Sequence, residues 1–170
     1  MKPLQGTYPK YFENYVPWVK ENDVHSALRN NLTEVSSFFR AIPADMENYA
    51  YAPGKWNIKQ VLNHVIDTER IFTYRALRFA RRDPQQPLPF EENHYADHAD
   101  VSQRTLDDLI EEFEAVRKAS ILLFKYFSDD TLLVSGKTAA GDCTVLALGY
   151  TTCGHAIHHL NVLKERYLKK

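Results

Sequence analysis

Three of the chain's seven histidines fall within Gly154-His155-Ala156-Ile157-His158-His159. On a helix, positions i and i+4 share a face, so His155 and His159 can turn two imidazoles toward one cation. Two nitrogens make an incomplete site. A third stands far upstream: His64, between Val61 and Val65, opens a ridge of His64, Thr68, Ile71 and Arg75 at helical steps beside an apolar face. One imidazole from that helix and two from the last form a three-nitrogen site with an open position, the pattern of catalytic rather than structural zinc. Plainer uses stay open. His64 also fits a hydrogen-bonded core histidine, and a bare His-x-x-x-His lacks the glutamate of the His-Glu-x-x-His zinc motif.

Around these lie further candidates. Glu69, one turn beyond Val65, could orient a ligand imidazole, since metal-bound histidines usually donate their other N–H to a carboxylate or carbonyl. Arg75 could bind an anionic substrate group. Both charges equally fit a salt-bridge network inside a bundle. His158 points about 100° away from its helical neighbours and is expected beside the site or on the surface, replacing His159 only if the helix is rotated. His94 and His98 form another i, i+4 pair in a polar loop and could belong to a lid over the open position. Cys153 has no base at a telling spacing and reads as a small buried residue; Tyr74 and Tyr150 read as packing residues.

Amphipathic helices must carry these side chains. The first is expected from Asn22 or Asp23, with Val24, Leu28, Leu32, Val35, Phe38, Phe39 and Ile42 in helical period, up to Pro43. The second starts at Asn57, with Gln60 in capping-box register, and runs to about Arg82 before Asp83-Pro84. The third opens at Ser102 or Thr105 and keeps its period through Leu109, Phe113, Val116, Ser120 and Phe127. The last is capped by Thr144 and ends near Leu168. Residues 1–20, rich in aromatics and marked by Pro9 and Pro17, form an arm packed on the body. No run reads as a strand, and residues 83–101 read as a long ordered loop. The expected fold is a single all-α domain over 1–170, a four-helix bundle across 22–168 with long crossover loops.

Composition narrows the function. Apolar residues make up 44% and charged residues 25%, a globular mix. The formal net charge is −1, with no basic run beyond Arg81-Arg82 and Lys169-Lys170, so neither a nucleic acid nor an anionic membrane is an expected partner. The opening residues lack a signal peptide's apolar core, no stretch approaches a membrane span, and two cysteines make no disulfide scaffold. A cytoplasmic protein acting on a small molecule is the expectation.

The run Gly54-Lys55-Trp56-Asn57-Ile58-Lys59-Gln60-Val61-Leu62-Asn63-His64, continuing through Glu69 to Phe79, resembles the second-helix signature of the DinB-like superfamily. So does the ending Leu148-Gly149-Tyr150 with Gly154-His155-Ala156-Ile157-His158-His159. The resemblance covers about residues 22–168. It implies a four-helix bundle of the DinB/YfiT type holding a divalent metal ion, zinc or nickel, on three histidines, here His64, His155 and His159. Members include thiol-dependent S-transferases, a mycothiol-dependent isomerase and metal-dependent hydrolases, and they often form homodimers. The resemblance therefore implies a metal-dependent enzyme, either a transferase using a low-molecular-weight thiol or a hydrolase. A non-catalytic metal- or small-ligand-binding bundle is the alternative. Many relatives carry Glu where this chain has Ala156, which removes a carboxylate near the site and bears on the reaction.

Overall fold

The structure, a computed structural model, describes residues 1–169, so Lys170 lies outside it. Four long helices make the body, and each begins where a polar side chain satisfies free backbone N–H groups. Asp23 accepts from the Ser26 amide ahead of α1 (Val24–Arg40). Asn57 and Gln60 close a reciprocal capping box at α2 (Ile58–Ala80), with both bonds at 2.9 Å. A short helix, α3 (Glu92–His98), follows. Thr105 and Asp108 form a second capping box at α4 (Leu106–Lys125), and α5 (Asp129–Leu132) is a single turn. Thr144 caps α6 (Val145–Val162), which widens into a π-helical turn over Leu163–Tyr167. No helix among the described residues is long and apolar enough to cross a membrane.

Two elements depart from the sequence expectation. Ser135–Thr138 (β1) and Gly141–Thr144 (β2) pair as an antiparallel hairpin where a bare chain break was expected. Their residues carry no apolar alternation, so the strand signal is missing. Instead Gly136 lets the hairpin press onto α2, where a Cβ would fall 2.2 Å from the Phe79 ring. The loop expected over 83–101 contains α3, whose one buried residue is Ala96. With no apolar stripe it leaves no periodic trace, and it is started by Glu91 accepting from the Asn93 and His94 amides.

In the bundle α6 packs on α1 and α2, and α4 packs on the same two from the opposite side. Consecutive α1 and α2 are therefore diagonal, as are α4 and α6. The apolar clusters give the directions. Val24 and Leu28 share one cluster with Phe79, Phe124 and Leu146, while Phe39, Ile58, Leu109 and Leu160 share the other. Hence α1 and α6 run one way and α2 and α4 the other. Residues 41–57 cross one end, residues 126–144 with the hairpin cross the other, and residues 81–105 return along the whole length.

Between the two clusters lies a polar layer. Arg117 of α4, fully buried, donates through Nε and Nη2 to the two Glu69 oxygens at 2.7 and 2.9 Å. Its Nη1 donates to Asn31 of α1 at 2.5 Å, and Ser120 donates to Glu69 at 2.7 Å. This network ties α1, α2 and α4 together at the level of the site. Helix α6 is buried all round from Val145 to Ala156, because the N-terminal arm covers its outer side with Phe12, Tyr15, Val16 and Val19.

Candidate metal centre

α2 and α6 run antiparallel in contact, which brings His64 level with His155 and His159. Their ligating atoms lie within 4.8 Å of one another. His64 Nε2 is 3.0 Å from His155 Nε2, and His159 Nε2 is 3.1 Å from that same atom. A neutral imidazole nitrogen carries either a proton or a lone pair. His155 Nε2 can therefore complete one hydrogen bond but not two, and no choice of tautomers satisfies both contacts. Three lone pairs directed at one cation do satisfy them. Ligands at about 2.0–2.1 Å from a tetrahedral centre stand about 3.3 Å apart, close to the two spacings that His155 makes. The donor set fits a divalent ion that accepts imidazole nitrogen.

The surroundings keep these rings neutral and in place. Burial holds His64 down to about 4, with His158 adding to the effect. Burial, then the neighbouring imidazoles, hold His155 and His159 well below the usual histidine range. Neutral imidazole is the ligating form. The Trp56 ring lies against His64 at 4.8 Å, and Tyr15 meets the edge of His155 at 5.4 Å. Thr68 Oγ1 stands 3.5 Å from His64 Nδ1, a long contact one turn along α2.

Other sequence candidates take different places. Glu69 has both oxygens engaged by Arg117 and Ser120, so its hydrogen-bonding capacity is directed at α4. Arg75 is 8% exposed and lines a cavity that reaches His155. His158 sits half-buried under Tyr15, its ring 5.2 Å from His159. His94 and His98 pack on each other on α3 and are exposed. Cys153 is buried, and burial pushes its thiol up to about 12. Ala156 belongs to the apolar core cluster, so that position faces the bundle interior and its side chain adds nothing to the site.

Several contributors were not legible as such. Arg117 follows the core period Ile110, Phe113, Arg117, Ser120, Phe124 at steps of 3, 4, 3 and 4, and a cation at a core position was a usable signal. Val116, read as core in its place, is only partly buried. Tyr15 and Glu92 reach the site through tertiary packing and leave no mark in the spacing, while Phe72 keeps the apolar period of the second helix and reads there as core.

Two openings lead to the nitrogen cluster. One, about 170 Å³, lies between the arm, α2, the 81–105 segment and the hairpin turn, and His155 forms part of its wall. The other, about 250 Å³, is lined by Tyr51, Lys55, Trp56, Asn93, His159 and Tyr167. α3 straddles them, with Glu92 on one and Asn93 on the other. Partial burial, then Glu91 beside it, push the Glu92 carboxyl above its ordinary value.

This is a four-helix bundle with three inward histidines from two facing helices, and its class is shown by sequence. The DinB superfamily profile matches residues 27–163. The chain belongs to the DinB superfamily. Among solved structures, YfiT from Bacillus subtilis, described as a probable metal-dependent hydrolase with an unusual four-helix bundle topology, superposes with a TM-score of 0.72 at 14% identity. That match covers 97% of this chain and 90% of YfiT. The mycothiol-dependent maleylpyruvate isomerase superposes with a TM-score of 0.65 at 14% identity, over 81% of this chain and 58% of the isomerase. This chain thus spans little more than half the length of that protein. At such identities the likeness is one of fold. No curated protein sequence matches the chain at a significant level.

Proposed function

We propose that the chain is a metal-dependent enzyme whose divalent ion, zinc or nickel, is held by His64, His155 and His159. The observation that carries it is the convergence of three Nε2 atoms, two on buried histidines and the third on the half-buried His159, whose contacts no set of imidazole tautomers satisfies together. With three protein ligands the ion keeps an open position; it would lower the pKa of a thiol or water and polarise a substrate carbonyl. The chain's own residues do the rest. Trp56 and Tyr15 fix two of the imidazole rings, the Glu69–Arg117 pair holds α2 at its level against α4, and the arm and α3 restrict water to two narrow openings.

Transfer of a low-molecular-weight thiol to an electrophile is the reaction favoured here. A thiol partner brings anionic groups that need a cationic lining, whereas a hydrolase needs only water beside its substrate. Here one opening ends at His155 and the other at His159. Lys55 in the second provides a cation for the anionic groups of a thiol. Hydrolysis is the second reading, consistent with the description of YfiT.

The test is elemental analysis of untagged protein beside His64→Ala, His155→Ala and His159→Ala. The wild type is expected to hold a full complement of divalent metal, and each variant to lose at least tenfold in affinity. Unchanged stoichiometry in all three variants would end the proposal. Turnover of an electrophile only when a small thiol is present would separate transferase from hydrolase.

A further inference from the structure

Arg75 is the buried charge that the metal centre leaves unexplained. It is 8% exposed, yet none of the ion pairs among the described residues includes it. Its one hydrogen bond runs from Nη2 to the Leu88 carbonyl at 3.3 Å. A guanidinium presents five N–H donors in a planar fork, and a buried cation without a counter-charge is costly. By contrast, Arg117, buried more deeply still on the neighbouring helix, has both Glu69 oxygens and Asn31. Arg75 lines the 170 Å³ cavity instead, where Phe12, Tyr15, Phe72 and Phe90 form much of the wall and His155 is part of it.

We propose that this cavity binds a compact monocarboxylic acid with one flat apolar ring or a chain of similar bulk. Arg75 holds the carboxylate and the apolar part lies toward His155. The proposal rests on the metal-centre reading for its meaning, since it names the substrate class of that site, but not for its binding energy. The planar carboxylate matches the guanidinium fork in a two-point contact. Size is a guide: a cavity of about 150 Å³ holds benzene, so 170 Å³ accommodates one ring with a small substituent within its walls. Charge is another. Glu92 lines the same cavity, so a second negative group on the ligand would meet a carboxylate.

The probe is benzoate, titrated calorimetrically into chelator-treated, metal-free protein, with benzamide as its neutral counterpart of equal shape. Benzoate is expected to bind and benzamide to bind at least about tenfold more weakly, as loss of a charge-assisted pair implies. Arg75→Met is expected to weaken benzoate at least about tenfold and benzamide by less, as removal of a charge-assisted pair against a neutral hydrogen bond implies. Arg75→Lys, which keeps the charge but not the fork, is expected to fall between the wild type and Arg75→Met. The comparison of the two ligands on the wild type holds even if the Arg75 variants fold poorly. Equal binding of benzoate and benzamide, no binding of benzoate, or full benzoate affinity in a folded Arg75→Met protein would each overturn the proposal. His159→Ala separates the two readings: loss of metal with retained benzoate binding supports the carboxylate pocket independently of the metal centre, whereas loss of benzoate binding in that metal-free variant, with its fold intact, contradicts it.

Discussion

At the scale of single residues, protons and charges decide what the site can do. His64 is held at about 4 by burial, against 6.5 for an exposed imidazole, and His155 and His159 lie well below the usual range. Between these limits the unfolded chain binds more protons than the folded one, so folding stability rises with pH there. Metal-free protein should therefore lose stability as pH falls from 6.5 toward 4, and urea midpoints across that range should show it. His64→Gln removes one of the three groups and should flatten the dependence. The buried Arg117–Glu69 pair behaves differently. Arg117→Met leaves the Glu69 carboxylate buried without its cation and should cost about 3–5 kcal/mol by urea unfolding. The double variant Glu69→Leu/Arg117→Met should recover part of that loss, because the buried charge is gone while Asn31 and Ser120 lose their partners in the network.

At the scale of elements, the N-terminal arm and α6 form one unit. A Cβ on Gly154 would fall 2.2 Å from the Tyr15 carbonyl oxygen and 2.5 Å from its carbonyl carbon. Both are backbone atoms, so neither can swing aside as a side-chain tip would. Gly154→Ala should lift the arm from α6, costing about 1–3 kcal/mol as overpacking does, and should speed proteolysis within residues 1–20. Asn57→Ala removes the side-chain acceptor at the start of α2 and should cost about 1 kcal/mol. Its effect on metal affinity should be small, since His64 lies nearly two turns further on.

At the scale of the whole molecule, the polar layer and the three-histidine cluster sit at mid-height between two apolar clusters. Four helices meet there, so a bound ion links α2 and α6 while Arg117 links α1, α2 and α4. Metal at about 100 times its dissociation constant should add about 2.7 kcal/mol to the folded state. For a domain of this size that raises Tm by roughly 5–11 °C, and chelation should reverse it. His155→Ala should show no such difference between metal-loaded and chelated samples in a calorimetric scan.

Much of this architecture follows from local sequence. The capping boxes at Asn57 and Thr105, the apolar periods of α1, α2 and α4, and the one-turn separation of His155 and His159 are short-range features, and a helix of fixed pitch translates them directly into faces. That translation also set His64 beside an apolar face, though it left open whether the ring was a ligand or a core histidine. What the sequence could not decide was which helices become neighbours. Antiparallel contact of α2 with α6 places His64 at His155, and contact of α2 with α4 gives Glu69 to Arg117 rather than to an imidazole. The hairpin and α3 were missed because neither carries an apolar pattern; each is held by surroundings it meets only after folding. The sequence by itself determined the helices and the three imidazoles. The tertiary structure decided that their nitrogens meet at one point and that Arg75 faces a cavity, because contacts between residues ninety positions apart depend on helix packing and not on spacing along the chain.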